Sequence, residues 1–305
     1  MKTLGKPESS SDVVNKQPRV LLIGYGWVGQ YMGKYFTKAH IVEGDGVIRY
    51  QDGREVGSYF HYDLAIIGVP TPMNPETGQC DTSIVETVVD KYKDIVDNFL
   101  VKSTVEIGTC GRLEKKYGVP VCMSPEYVGE TLGHPLLEPR RDAFQIIGGN
   151  PRAREEVAEM FMTVLHASAP IHLCTSQEAE IIKYCENMWI MRRVDYWNDV
   201  FEVCETLGGS FQAVRTGIVL DPRMSSTHSN VYRNNKGWSG KCLPKDMNAL
   251  AFKMRKAGHP LPRLEHAIKE NVERRKNINS KEMLIPKPSR KEQPPIGFSG
   301  NRGNQ

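Results

Sequence analysis

The sequence predicts an α/β protein: a parallel sheet with helices on both faces, followed by a long linking helix and a smaller all-α domain. Three observations predict it. Short apolar runs rich in β-branched residues alternate with stretches of helical period. Those runs are continuously apolar, as strands buried on both faces are, rather than alternating with polar residues. From Thr175 to Leu207 the chain carries neither Pro nor Gly, so one helix can run through the whole segment.

The elements follow in order. "RVLLIGYGWVGQYMGKYF", from Arg19, reads as strand, glycine turn and helix. Further strand-like runs occupy residues 63–72, 98–109, 119–127 and 143–149. Between them "DTSIVETVVDKYKDIV" places Ile84, Val88 and Ile95 at helical steps. The long helix opens on a capping box, Thr175 with Glu178, and stops at Gly208. At 1.5 Å per residue about 30 residues reach roughly 45 Å, more than one small domain spans, so the helix is expected to bridge two domains or pack on a second chain. A loop region over 209–241 and shorter helices to about residue 277 complete the chain's ordered part. Domains are therefore expected at 18–174 and 175–277, with a disordered leader over 1–17 and a disordered Pro- and Gly-containing tail over 278–305.

Composition narrows the function classes. The 305 residues are 39% hydrophobic and 25% charged, ordinary for a globular protein with a packed core. The formal net charge is +4, and residues 281–305 hold five Lys/Arg against two Glu, so the folded body is nearly neutral. A chain that neutralises many phosphates needs a basic face, so a nucleic-acid partner is excluded. No apolar run approaches the ~20 residues of a membrane span, and no signal peptide precedes Arg19, so a cytoplasmic protein without a membrane partner is expected. Seven cysteines (80, 110, 122, 174, 185, 204, 242) lack CxxC spacing, which predicts free thiols and no metal.

Three groups of residues carry candidate chemistry. In "GYGWVG" the glycines at 24, 26 and 29 stand between strand and helix, with Trp27 and Val28 inside the loop. Gly24 permits the turn, Gly26 lets backbone approach a pyrophosphate, and Gly29 lets the helix pack closely, the arrangement of a Rossmann-type dinucleotide site. An acid about 20 residues further on holds the adenosine ribose in such sites and repels a 2′-phosphate. Glu43 and Asp45 both qualify, Glu43 being preferred. On the long helix, Lys183 and Asn187 are four residues apart and share a face, so an ammonium and an amide donor meet at one point, as a developing alkoxide requires. In "GWSGKCLPKD", Cys242 has Lys241 and Lys245 close by, and neighbouring cations lower a thiol pKa. The other six cysteines are expected to be packing residues.

"GYGWVG", "VPTP", "STVEIGT", "SPEYVGE", "AEIIKYCEN" and "GWSGKCLPKD" occur in the order found in the UDP-glucose/GDP-mannose dehydrogenase family, and from about residue 19 to about 277 the chain resembles it. The resemblance implies NAD-dependent oxidation of a nucleotide-sugar primary alcohol, UDP-glucose by default, to the uronic acid through a cysteine thiohemiacetal and thioester. GDP-mannose, a UDP-N-acetylhexosamine, a non-catalytic NAD-binding paralogue and a two-electron 3-hydroxyacid dehydrogenase are the alternatives. It implies Cys242 as nucleophile, Lys183 and Asn187 on the oxyanion, Asp246 orienting water with Thr104 as hydroxyl partner, and Glu126 as acid or base in thioester hydrolysis. It also implies cofactor contacts from Val69, Pro70, Thr71, Thr104, Glu130 and Lys245. Substrate contacts would come from Glu126, Lys183, Asn187, Gly237, Cys242 and Arg223, the last reaching a neighbouring subunit's substrate, so a homodimer through the long helix is expected. Relative to the family, the sequence is expected to lack the third domain that grips the nucleotide diphosphate, leaving Arg223, Arg233 or Lys236 for that task. Residues 46–62 have room only for a turn or hairpin, and Ser239 replaces a usual glycine.

Overall fold

The computed structural model describes residues 17–57, 60–128, 139, 142–240 and 242–276. The expected disordered leader over 1–17, except for residue 17, the expected tail over 278–305 and the sites at Glu130 and Lys241 lie outside the described residues.

The first strand, β1 (Val20–Ile23), leads through the glycine turn into α1 (Trp27–Tyr35). There follow β2 (His40–Val42), β3 (Ile48–Tyr50), β4 (Tyr62–Ile67), α2 (Ser83–Tyr92), β5 (Val96–Val101), α3 (Thr109–Tyr117), β6 (Val121–Met123), β7 (Gln145–Gly148), α4 (Pro151–Met162) and β8 (Ile171–Cys174). They build one eight-stranded sheet in the order β3-β2-β1-β4-β5-β6-β7-β8. All pairings are parallel except β2 with β3 and β6 with β7.

The alternation of side chains along each strand feeds two cores. Leu21, Ile23, Ala65, Ile67, Phe99 and Val101 point to the face covered by α2 and α3. Val20, Leu22, Leu64, Ile66 and Leu100 point to the face covered by α1 and α4. This is the expected Rossmann-type sheet with helices on both faces, and continuous apolarity marks strands that bury both sides. The strands missing from the five apolar runs are the short β2, β3 and β8, of three or four residues, with partly exposed positions in each. The contracted 46–62 segment forms the expected hairpin, with β3 turned back on β2. In α2 the buried stripe is Val85, Val89 and Tyr92, one position out of phase with the expected one: Ile84 is exposed and Ile95 lies past the helix end.

The long helix α5 (Ser176–Leu207) has 32 residues. Its capping box forms as expected: Thr175 N donates to Glu178 Oε2 (2.7 Å) and Glu178 N to Thr175 Oγ1 (3.2 Å). At its other end Gly208 takes φ +74°, and Gly209 N donates to the Cys204 carbonyl at 2.9 Å, closing the C-terminal turn. The expected loop after it contains α6 (Phe211–Val219), N-capped by Ser210, a helix with no buried residue although Phe211, Val214 and Ile218 recur at helical steps. The chain continues in α7 (Leu243–Lys256) and α8 (Pro262–Arg275).

By internal contacts the chain divides into two compact units. The first comprises residues up to Arg193 with Trp238–Ile268, and the second Val194–Gly237 with the residues from Lys269 on. Sheet, first half of α5 and all of α7 therefore belong to the same unit.

Candidate active site

The glycine loop is built as its spacing demands. Gly24 has φ +86°, and its N–H donates to the Val42 carbonyl, tying the loop to the end of β2. A Cβ at Gly24 would stand 2.8 Å from the Gly68 carbonyl oxygen, and one at Gly29 only 2.2 Å from that of Gly24. At Gly26, by contrast, an added Cβ meets nothing within 4 Å: the space in front of it is open. Gly26 is also the N-cap of α1 and offers no side-chain cap, so first-turn N–H groups remain for a ligand anion. Trp27 is 44% exposed at the helix start, and Val28 packs toward Gly68. This cradle fits a dinucleotide pyrophosphate.

The two candidate ribose acids are separated by their partners. Asp45 is engaged by Arg49 at 2.8 Å and accepts the Val47 N–H at 3.0 Å, and these contacts hold its carboxyl below the usual carboxylate range. Glu43 follows β2 directly and is exposed. Beyond β4, Val69 is half-buried and accepts from Ser103 Oγ (2.7 Å), Pro70 is exposed, and Thr71 donates to the Thr104 carbonyl (2.7 Å). Loops after neighbouring parallel strands thus meet beside the switch in strand order, where open α/β sheets bind ligands.

The second half of the site is made of buried polar side chains. Cys242 is the N-cap residue of α7 and is exposed, and the positive end of a helix dipole favours the thiolate. One turn on, Asp246 is fully buried. Its Oδ2 accepts from Asn187 Nδ2 at 2.6 Å, and its Oδ1 lies 2.8 Å from Lys245 Nζ, an ion pair whose alignment is not that of a hydrogen bond. Lys183, one turn before Asn187 on α5, donates to the Glu126 carbonyl at 2.6 Å and stands 5.4 Å over the Tyr127 ring. The structure therefore pairs Lys183 with Glu126, and Asn187 with Asp246 and Lys245, two sets of contacts one helical turn apart on α5, with Cys242 one turn before Asp246 on α7.

The remaining thiols make the contrast. Cys80, Cys110, Cys122, Cys174 and Cys204 are buried, as packing residues are, whereas Cys185 is exposed on α5. Burial pushes up the thiols of Cys80, Cys110 and Cys174, and that of Cys122 to about 12. Such thiols are poor nucleophiles.

Three positioning groups were not singled out from the sequence. Glu180, 1% exposed, accepts the backbone N–H groups of Gly108 and Cys110, the latter at 2.9 Å, so a carboxylate on α5 caps the N-terminus of α3. Tyr184, one turn further, donates to the Val105 carbonyl at 2.9 Å. Lys102, 3% exposed, donates to Ser124 Oγ at 2.9 Å. The signal for the first two was their spacing on α5: they stand four residues apart, Glu180 three before Lys183 and Tyr184 three before Asn187.

Arg223 and Gly237 lie in the second compact unit. The Arg223 side chain is 87% exposed and paired with Asp221 at 2.6 Å. Gly237 has φ +77°, donates its N–H to Asn198 Oδ1 (2.9 Å), and leaves no room for a Cβ, which would lie 2.4 Å from Asn271 Oδ1. Arg233 and Lys236 are paired with Glu205 and Glu202 at 2.7 and 2.6 Å.

Comparison with known proteins identifies the family. Residues 54–165 match the NAD binding domain of the UDP-glucose/GDP-mannose dehydrogenase family, and residues 177–273 match that family's central domain. The chain belongs to the UDP-glucose/GDP-mannose dehydrogenase family. It is 27% identical over 235 residues to the UDP-glucose 6-dehydrogenase TuaD of Bacillus subtilis, covering 73% of this chain and 49% of that protein. It is also 27% identical over 230 residues to a UDP-glucose 6-dehydrogenase of Rhizobium meliloti, covering 72% and 52%. The chain thus spans about half the length of the curated relatives it matches. Among solved structures, a UDP-glucose dehydrogenase from the archaeon Pyrobaculum islandicum shares the fold at a TM-score of 0.69 and 21% identity, over 88% of this chain and 70% of that one. In this family the matched N-terminal domain binds NAD. The glycine cradle lies before residue 54, so its geometry is independent support for that cofactor.

Proposed function

We propose that the protein oxidises the primary alcohol of a nucleotide sugar, UDP-glucose first among them, to the uronic acid, with Cys242 as the covalent nucleophile. The observation that carries this reading is the placement of an exposed thiol at the N-terminus of α7, one turn from Asp246, which is itself bonded to Asn187 on the helix that carries Lys183. NAD, when bound, supplies the hydride acceptor for both oxidations.

The residues divide the remaining work. Lys183 and Asn187 hold the sugar oxygen as negative charge develops on it. An aldehyde cannot lose a second hydride until a nucleophile adds, and the Cys242 sulfur adds to its carbon to form a thiohemiacetal. Oxidation of that carbon leaves a thioester. Water then attacks its carbonyl, the carbon–sulfur bond breaks, and the thiolate returns as the carboxylate leaves. The helix N-terminus and Lys245 favour the sulfur anion at the start and the end of the cycle. Asp246 keeps the Asn187 amide and the Lys245 ammonium in place, and by resemblance it and Thr104 orient the water. Glu43 holds the adenosine ribose, because Asp45 is taken by Arg49.

We further assign the protein to the cytoplasm as a homodimer through α5, on which Trp189, Val203 and Leu207 are 64%, 56% and 79% exposed. Among the described residues no helix is long and apolar enough to cross a membrane. The test is stoichiometric: incubate the protein with NAD and a panel of nucleotide sugars and count NADH per sugar consumed. Two NADH with uronic acid formed is the expected result. One NADH indicates two-electron chemistry, and none indicates a non-catalytic protein; either outcome contradicts the proposal.

A further inference from the structure

Directly after β2 the chain carries three charged residues within seven positions: Glu43, Asp45 and Arg49. The Gly46 N–H donates to the Glu43 carbonyl at 3.0 Å, so both acids stand on one tight turn. That turn follows Val42, whose carbonyl accepts the Gly24 N–H of the glycine cradle at 2.9 Å. Arg49 comes back toward the acids on β3, where its backbone pairs with Ile41 of β2 on one side and bridges Glu55 on the other. The backbone is therefore fixed from both sides, and the side chain alone selects a partner.

That partner is Asp45. Arg49 Nη2 lies 2.8 Å from Asp45 Oδ2, and Nη1 donates to Oδ1 at 3.1 Å and to the Val47 carbonyl at 3.3 Å. Two guanidinium nitrogens on two carboxylate oxygens form the fork that arginine makes equally well with a phosphate. The Asp45 hydrogen bond holds the arginine above its ordinary value, burial opposes, and the charges of Asp45, Glu55 and Glu43 add to the rise. Glu43 thus acts on the same guanidinium from a distance while Asp45 holds it directly. The Arg49 and Asp45 side chains are 26% and 50% exposed, so a ligand at the turn can reach the pair.

We propose that Asp45 is a specificity-determining residue for the cofactor: by holding Arg49 on both of its oxygens, it withholds the cation that would otherwise pair with a 2′-phosphate on the adenosine ribose, and so keeps the site for NAD. Glu43, Asp45 and Arg49 together present one net negative charge, which repels a phosphate dianion. Without the Asp45 charge the three positions are neutral in sum and the guanidinium fork is open. The inference rests on the proposed seating of the adenosine ribose at Glu43 and goes beyond it, because it gives the second acid a task of its own.

Calorimetric titration with NAD, NADP, 5′-AMP and 2′,5′-ADP tests it without turnover. Asp45→Asn is the variant of choice: its amide oxygen can keep accepting the Val47 N–H, which Asp45 Oδ1 accepts at 3.0 Å, while the charge that holds Arg49 is gone. The wild type should bind NAD in preference to NADP. In Asp45→Asn the affinities for NADP and 2′,5′-ADP should rise about tenfold as a charge-assisted pair forms, with NAD and 5′-AMP changed less than about twofold. The gain should shrink as salt is raised. Adding Arg49→Met to Asp45→Asn should abolish the gain, and Arg49→Met alone should bind NADP no more tightly than the wild type. An equal gain with and without Arg49 would mean that removal of a negative charge suffices, and overturns the proposal. So does the absence of any gain in Asp45→Asn, or a wild type without preference for NAD. Loss of NAD affinity in Asp45→Asn would place the ribose contact on Asp45 and overturns it as well. A wild type that binds NAD selectively but forms no NADH with any nucleotide sugar would instead sink the functional proposal alone, leaving the four ligand titrations to judge Asp45.

Discussion

The two halves of the site are made of different materials. At the end of β1 the protein presents backbone, open space and exposed acids: Gly26 faces emptiness, and Glu43 stands in solvent. Around α5, α7 and the end of β5 it presents buried side chains, with Asp246 0%, Glu180 1%, Lys102 3% and Asn187 5% exposed, each hydrogen-bonded to a distant partner. The first half can hold a ligand that arrives with its own charge. The second must hold charges of its own out of water, so each depends on its neighbours and the whole is sensitive to single changes.

The largest effect should fall on the rim of the buried half. Cys242→Ala is expected to lower uronic acid formation by at least ~10³-fold while NAD affinity, measured by calorimetry, is kept. Loss of NAD binding instead would mean that the two halves are not separable.

A pair of alanines sharpens the contrast inside the open half. Gly29→Ala drives a Cβ into the Gly24 carbonyl and should destabilise the fold by about 3 kcal/mol in a denaturant titration. Gly26→Ala has free space, so stability should hold while NAD affinity falls about tenfold, or ~1.4 kcal/mol, as the methyl meets the pyrophosphate. Equal stability losses would show that Gly26 is structural after all.

Glu180→Gln tests the buried half through pH. Burial raises the Glu180 carboxyl above its ordinary value, with the α3 N–H groups opposing. A raised folded pKa means that stability is fully present below the unfolded carboxylate pKa and falls as pH rises through the folded one. Over that window wild-type stability should decline relative to Glu180→Gln, and at neutral pH the two should differ by about 1–3 kcal/mol at most. Parallel curves would place Glu180 in a more polar setting than its burial indicates.

The smallest effects belong to the surface acids. Glu43→Gln should weaken NAD binding by about fivefold, close to 1 kcal/mol, whereas Asp45→Asn should change it less than twofold, since an exposed pair such as Asp45 with Arg49 contributes little. The reverse order would move the ribose contact to Asp45.

The same division explains what was legible in the sequence. The glycine turn, the capping box of α5 and the buried strands are local patterns, written within a few residues, and each formed where its spacing placed it. Glu43 could be told from Asp45 only when Arg49, four residues on, was seen to take one of them. The buried web was less legible, because its contacts join residues 57, 59, 72 and 79 positions apart. Lys183, Asn187 and Asp246 entered through resemblance to a family, and Glu180, Tyr184 and Lys102 did not enter at all. A buried Lys or Glu reads in sequence like any solvated one. Short β8, with two of its four residues exposed, has little apolar contrast to mark its period, whereas α6 carries a helical spacing in Phe211, Val214 and Ile218 that a loop reading passes over.

The central claim is a covalent bond between one sulfur and the sugar carbon. Wild-type protein mixed with NAD and UDP-glucose, quenched within a turnover and digested for mass spectrometry, tests it most directly. The account predicts a uronyl adduct on the peptide containing Cys242. An absent adduct during steady formation of the acid, or an adduct on the other exposed thiol, Cys185, would contradict it.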